Sequence, residues 1–392
     1  MKVLIALASS SGQLSGVPRH AINLARCLLT RREISEVHLV AAPWQRDFVQ
    51  DAAPRGDARL HLDSAPIGKG ALSRNLWFYK RLPELAAQLG IDIVHLAYPV
   101  PVKRNAFPCV CAVTLHDLYP YDIPGNFGFP KVIFNRAILG QCLQRADVIA
   151  CVSRSTFSRL ESLFPSLAGK ARVIYNSVEP VAQPQIETPE WGRHPFLLCV
   201  AQHRSNKNIP LALRVFERML RERRIHPATR LLVVGIEGPE TRGIRRFIAD
   251  AGFAERVPLL SGISDAQLQW CYRNARLLLA PSAIEGFGLP VAEALLAGCR
   301  VVCSDIPAFR ELGGGHCRYF PLGAGEDQSF FDAVCGALRQ PVLEPVALDQ
   351  ISAVIVAERV VELYRSLLLA REESALIRRT RIPSTREGRQ SI

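Results

Sequence analysis

Short apolar runs recur along the whole chain, each closed by a polar or glycine-bearing loop and followed by a stretch with helical spacing. Lys2 to Ala8, Val110 to Leu115, Phe196 to Ala201 and Leu277 to Ala280 are such runs. They are short and apolar at consecutive positions, as parallel strands buried on both faces are. After the first, Ser9 to Gly16 is a Ser/Gly loop, and Pro18 opens a helix with Ile22, Ala25, Leu28 and Leu29 on one face. After the third, Asn208 is placed to cap a helix that starts at Ile209-Pro210 and carries Leu211, Leu213, Val215, Phe216, Met219 and Leu220. After the fourth, Pro290 suits a first helical position and Gly298 a C-terminal stop, so Pro290 to Ala297 reads as a short helix with Glu293 in its first turn. Strands alternating with helices predict an α/β fold with parallel sheets.

The chain is too long for one such core. Its 392 residues exceed a typical single domain, and the Pro-rich, polar stretch from Glu179 to Pro195 is the natural joint. The division expected is an N-terminal domain over 1–180, a linker over 181–194, a C-terminal domain over 195–353 and a long amphipathic helix over 354–370. The remainder, 371–392, holds six Arg and three Glu with little apolar content after Ile377, and is expected to be partly disordered.

Composition removes several classes. With 48% hydrophobic residues the chain can bury sizeable cores, yet no apolar run is long enough to span a bilayer. The first residues mimic a secretory signal, but the loop and amphipathic helix behind them favour a first strand. Eleven cysteines without a Cys-x-x-Cys pair mostly fall inside strand or helix patterns, as small core hydrophobes in a reducing compartment and not as zinc ligands or a disulfide frame. The net charge of +12 is spread: residues 1–190 carry 21 Lys/Arg against 15 Asp/Glu, and 191–392 carry 27 against 21. There is no nucleic-acid motif, so an anionic membrane surface or lipid-linked substrate explains the excess better than a nucleic acid. Trp77, Phe78, Tyr79, Lys80 and Arg81 are candidates for a membrane contact, or equally for one face of an ordinary helix.

The chemistry concentrates at two strand-to-helix junctions. In Glu285-Gly286-Phe287-Gly288-Leu289-Pro290-Val291-Ala292-Glu293, two carboxylates flank such a turn, and the glycines let the backbone approach a ligand. Ligands of open α/β sheets sit at the carboxyl ends of strands, beside these loops. Carboxylates repel phosphate but accept hydrogen bonds from sugar and ribose hydroxyls. Glu293 also has a plainer reading, complementing the helix dipole. The second junction, Gln202-His203-Arg204-Ser205-Asn206-Lys207-Asn208, supplies cations. Arg204 can fork onto a diphosphate while Lys207 acts as a point charge, at a helix N-terminus that adds to their field. Taken together the junctions point to a sugar nucleotide. A dehydrogenase is disfavoured, because the loop with Gly12 and Gly16 is no GxGxxG fingerprint.

The run from Ser261-Gly262-Ile263-Ser264-Asp265 through Leu279-Ala280-Pro281-Ser282, the Glu285 to Glu293 motif, Val301 to Pro307 and Glu311-Leu312 resembles the retaining glycosyltransferases of family 4. The likeness covers most of the chain, most strongly from about Phe196 to Leu312. It implies the GT-B fold, two Rossmann-like doubly wound domains facing one cleft, with the C-terminal helix crossing back to the first domain. The family's frequent Trp near that helix start is absent. By the same resemblance Glu285 contacts the donor sugar, Glu293 the ribose, and Arg204 and Lys207 the diphosphate. Phe287, Gly288 and Leu289 touch sugar and phosphate through their backbone, Gly262 and Ile263 lie near the base, and Gly16 approaches the donor phosphates or the acceptor.

In the N-terminal half, Thr114-Leu115-His116-Asp117-Leu118-Tyr119-Pro120 ends a strand. On its residues alone this is a His that could bind a ligand hydroxyl, oriented by Asp117, or a surface turn closed by Pro120. The resemblance makes His116 the leading catalytic candidate of this half, since His-Asp followed by Tyr-Pro recurs in bacterial mannosyltransferase-like members. Ser153 is placed to cap the next helix, and Val173 to Val178 resembles the last strand of the domain.

The expectation is therefore a retaining, metal-independent hexosyltransferase without cofactor, with mannose from GDP-mannose as the first donor. The acceptor is a lipid-linked or growing saccharide, and the place is the cytoplasm or the inner face of its membrane. A UDP-sugar donor, a nucleotide-sugar epimerase or hydrolase, and a non-catalytic carbohydrate-binding module are the alternatives.

Overall fold

The computed structural model describes residues 1–54, 56–179, 186–341 and 343–380. Positions 181–185 of the expected linker and 381–392 of the expected tail lie outside the described residues. Strands β1 (Lys2–Ala6), β2 (Glu36–Ala41), β3 (Leu60–Ser64), β4 (Ile93–Leu96), β5 (Val110–Leu115), β6 (Val148–Cys151) and β7 (Ala171–Val173) form a seven-stranded sheet in the order β3-β2-β1-β4-β5-β6-β7. Strands β8 (Phe196–Val200), β9 (Arg230–Val234), β10 (Leu259–Leu260), β11 (Leu278–Ala280), β12 (Val301–Ser304) and β13 (Cys317–Phe320) form a six-stranded sheet in the order β10-β9-β8-β11-β12-β13. All pairings are parallel. Each sheet has helices on both faces, so its inner strands are apolar on consecutive residues: every residue of β5, VCAVTL, is buried.

The strand order reverses between β1 and β4 in the first sheet and between β8 and β11 in the second. These switch points open the crevices where doubly wound sheets bind ligands. The loops leaving β8 and β11 are the two that carry Arg204, Lys207 and Glu285.

Several elements depart from the sequence reading. The helix after β1 begins at Gly16, two residues before Pro18. The helix after β11 is Leu289–Leu296, and Glu293 falls in its second turn, beyond the reach of a simple dipole role. Asn208 stands at the N-cap position, but in the left-handed conformation (φ 47) and without a side-chain capping bond. Strand β7 stops at Val173; Ile174 to Val178 continues as buried chain without a ladder. Trp77 and Phe78 are 5% and 0% exposed, inside the core that also holds Leu82 and Ala86, which excludes them from a membrane face. All eleven cysteines are unpaired thiols and nine are buried. No helix among the described residues is long and apolar enough to cross a membrane.

The last helix, Ala353–Thr380, continues ten residues beyond the expected end at 370, because Arg371-Glu372-Glu373-Ser374-Ala375-Leu376 are mostly strong helix formers. Helix overrides the expectation of disorder up to Thr380. Its Val356, Ala357, Val360, Val361 and Tyr364 lie in one core with Val3, Ile5, Ala21 and Leu28, so this helix packs on the first sheet. Val178 N–H donates to Ile351 C=O at 3.0 Å, which ties the two chain crossings between the domains together.

Candidate active site

The β11 loop faces the N-terminal domain at van der Waals distance. A Cβ built on Gly286 would stand 1.8 Å from the carbonyl oxygen of His116, so only glycine allows this approach. The Gly286 carbonyl accepts hydrogen bonds from Ser153 Oγ (2.5 Å) and Thr156 Oγ1 (3.1 Å). Gly288 takes φ 99, and a Cβ there would meet the Phe309 ring at 2.9 Å. Both glycines are thus required by packing within the protein, and not only by close approach to a ligand.

Glu285 sits at the hub. Its Oε1 is 2.6 Å from Lys207 Nζ and accepts from Ser282 Oγ at 2.8 Å, while Tyr119 OH donates to Oε2 at 3.5 Å across the domain boundary. Asn206 braces the same loop: its side chain donates to Ile284 C=O at 3.3 Å, and its carbonyl accepts from Ala283 N–H at 2.8 Å. The loops after β8 and β11 therefore act as one unit. Arg204 N–H donates to Gln202 C=O at 2.7 Å, while its guanidinium has no hydrogen-bonded partner among the described residues and is available to an anion.

Glu293 stands further along the cleft. Tyr272 OH donates to its Oε2 at 2.7 Å, and burial pushes its carboxyl above the usual range. Arg19, at the start of the first helix, lies close enough to favour the ionised form, and reaches across to Asp265 with two bonds of 2.6 and 3.2 Å. Gly16 is exposed at that helix N-terminus with open space around it. Gly262 (φ 70) and Ile263 form the loop before the helix Asp265–Asn274, whose Ser264 caps it through a reciprocal bond with Gln267. Phe287 is 5% exposed and packs with Tyr175, so only its backbone is accessible; Leu289 is the first residue of its helix.

His116 is held differently from the expectation. Its Nε2–H donates to Ala97 C=O at 2.9 Å, and burial lowers the imidazole to about 4. The ring is neutral at pH 7, with the lone pair on Nδ1, so it can accept a hydrogen bond there. Asp117 does not orient it: Asp117 Oδ1 accepts from Tyr119 N–H at 3.1 Å, and burial pushes this carboxyl up to about 6 against the fields of Lys207 and Arg204. Behind His116, His20 packs edge-on at 4.9 Å. His20 Nε2 and His95 Nε2 both meet Thr114 Oγ1, at 3.0 and 2.6 Å, and His95 Nδ1 meets Tyr364 OH at 2.6 Å. A neutral phenol donating to His95 Nδ1 puts the His95 proton on Nε2, directed at Thr114, whose own proton then serves His20.

Sequence reasoning missed the residues that join the halves. Glu311 caps the helix Arg154–Leu163 from the other domain, accepting from Arg154 N–H (2.7 Å) and Ser155 N–H (3.1 Å). A cavity of about 950 Å³ lies beside this contact, and Asp117, Tyr119, Arg154, Glu285, Arg310 and Glu311 are among its lining. Its size is that of a small-molecule site.

Two face-to-face parallel α/β domains with a cleft between switch-point loops define the GT-B class. The fold matches sucrose-phosphate synthase from Thermosynechococcus elongatus (TM-score 0.70, 17% identity, covering 94% of this chain and 99% of that one). It also matches WaaG, a glycosyltransferase involved in lipopolysaccharide biosynthesis (TM-score 0.63, 16% identity, 91% and 93%). The family model "Glycosyltransferase Family 4" matches residues 14–181, and "Glycosyl transferases group 1" matches residues 185–314. The chain belongs to the group 1, family 4 glycosyltransferases. Among curated relatives it is 24% identical over 343 residues to O-antigen chain mannosyltransferase B of Escherichia coli, covering 80% of this chain and 85% of that one. It is 26% identical over 216 residues to O-antigen chain mannosyltransferase RfbU of Salmonella typhimurium. That second match spans 55% of this chain and about half, 56%, of the relative.

Proposed function

We propose that this glycosyltransferase moves a hexose, mannose from GDP-mannose, to a hydroxyl of a lipid-linked or polysaccharide acceptor in cell-surface glycan assembly. The observation that carries this reading is the convergence of Arg204, Lys207 and Glu285 at the β8/β11 switch point, opposite His116 and Asp117. The names of the relatives support the choice of mannose and of an O-antigen-like glycan.

Breaking the anomeric C–O bond places charge on the departing diphosphate. Arg204 and Lys207 meet that charge, and stabilisation aimed at developing charge is the largest contribution available to such a site. These cations serve in place of a metal. As the diphosphate draws Lys207 away, Glu285 is freed to accept hydrogen bonds from the sugar hydroxyls, and Glu293 holds the ribose. Neutral His116 accepts a hydrogen bond at Nδ1 from a hydroxyl of the transferring sugar. The acceptor hydroxyl, approaching from the cavity beside Asp117, attacks on the leaving-group face and gives its proton to a phosphate oxygen, so that configuration is retained.

A bilayer contact on the cytoplasmic face fits the surface around Phe129, Ile133 and Phe134, which are 83%, 57% and 54% exposed beside Lys131. Thermal denaturation with a panel of sugar nucleotides tests the donor, because a ligand of the native state raises its melting temperature. GDP-mannose should give the largest rise; a larger one with a UDP-sugar would reassign the donor. No rise with any nucleoside diphosphate would remove the reading.

A further inference from the structure

The outer edge of the first sheet carries a side-chain cluster that sugar transfer does not use. β3 is the terminal strand, and His61 on it stands in register with His38 of β2. The two rings stack with centroids 4.6 Å apart and planes at 19°. Glu36 lies two residues before His38 and Asp63 two after His61, so all four side chains share one face of the sheet. One nitrogen of each imidazole and one carboxylate oxygen of Glu36 lie within 4.8 Å of one another.

We propose that Glu36, His38 and His61 bind a divalent transition-metal ion of the zinc type, which fastens the edge strand β3 to β2.

His38 is already arranged as a ligand. Its side chain is 7% exposed, and Nδ1 is 2.9 Å from Asp63 Oδ2. A carboxylate accepting the Nδ1 proton leaves the Nε2 lone pair free, the support that metal-bound histidines usually have. That Nε2 is 3.4 Å from Glu36 Oε2. Two ligands on a tetrahedral ion with bonds of about 2.0–2.1 Å stand roughly 3.3–3.4 Å apart, so this pair needs no movement. His61 is exposed and free to turn its ring toward the same point. Imidazole donors select zinc, nickel or copper over magnesium and calcium. Lys2 Nζ lies 2.9 Å from Glu36 Oε1, the other carboxylate oxygen; it leaves Oε2 available, and its positive charge weakens the hold on a cation.

Without an ion the same four groups can form a purely hydrogen-bonded cluster, with His38 between two carboxylates. Titration decides between them. The full chain, free of any affinity tag and treated with chelator, is titrated with Zn²⁺ by calorimetry and by thermal denaturation. One equivalent should bind saturably and raise the melting temperature, while Mg²⁺ should not. His61→Ala removes an exposed ligand and should weaken zinc binding at least about tenfold. Lys2→Ala should tighten it. Absence of one-to-one binding, or affinity unchanged in both His61→Ala and Glu36→Gln, overturns the site. Loss of sugar transfer would leave these readouts untouched.

Discussion

Lys207 and Glu285 form an ion pair of 2.6 Å with side chains only 18% and 10% exposed. Each charge is therefore satisfied by the other in a place where water does little. Removing one partner strands the second, a change that costs about 3–5 kcal/mol in buried pairs. Lys207→Met or Glu285→Leu should lower the melting temperature as well as abolish transfer. The double variant Lys207→Met/Glu285→Leu should regain much of the stability and none of the activity. Chemical denaturation of the four proteins measures the coupling; additive losses would show that the pair does not act as a unit.

Gly286 is where the β11 loop abuts the N-terminal domain. A methyl group there must push the His116 carbonyl away, and that carbonyl belongs to the other domain. Gly286→Ala should leave each sheet folded, enlarge the molecule in solution scattering and reduce transfer by two orders of magnitude or more, since small displacements at a reacting centre cost about that much. An unchanged scattering profile with normal turnover would contradict the role.

Asp117 resists ionisation. Its carboxyl is raised by burial to about 6, so between the ordinary carboxylate range and pH 6 the folded chain holds a proton that the unfolded chain has lost. Stability from this group is present at low pH and is lost as pH rises toward 6 and above. Asp117→Asn keeps an acceptor for Tyr119 N–H and removes the cost of the charge. It should stabilise the fold at pH 7.5 by on the order of 2 kcal/mol, with the gain shrinking toward pH 4. Melting curves at several pH values check the sign, which a lowered Asp117 pKa would reverse.

Tyr364 anchors the last helix to the first domain. Its hydroxyl is the partner of buried His95 Nδ1 at 2.6 Å. Tyr364→Phe leaves that acceptor unsatisfied and should cost about 1–3 kcal/mol in denaturant unfolding. A neutral effect would mean that His95 finds another partner.

What the sequence revealed and what it hid follow one physical rule. The β11 junction was legible because Leu277 to Ala280, the glycines and Pro290 are local signals of strand, turn and helix start. Arg204 and Lys207 were legible for the same reason, at the end of β8. The Glu285–Lys207 pair, the Tyr272–Glu293 bond, the Arg19–Asp265 clasp and the Glu311 cap join residues 21 to 246 positions apart, and no local pattern encodes them. Gly286 shows the limit most clearly: its need for glycine was visible, but the neighbour imposing it, His116 C=O, arrives from the other domain. Trp77 was left open between a membrane contact and an ordinary helix face, because an aromatic beside Lys80 and Arg81 looks alike in sequence whether it faces the core or a lipid; its burial selects the helix face.

Transfer with retention from GDP-mannose is the reaction proposed for this site. Purified protein incubated with GDP-mannose and a polyprenyl-diphosphate-linked saccharide, with the product examined by NMR, tests it directly. The expected result is release of GDP and an α-linked mannose on the acceptor, produced after exhaustive chelation as readily as before. A β-linked product, a requirement for added metal, or release of free mannose without any glycosylated acceptor would contradict it.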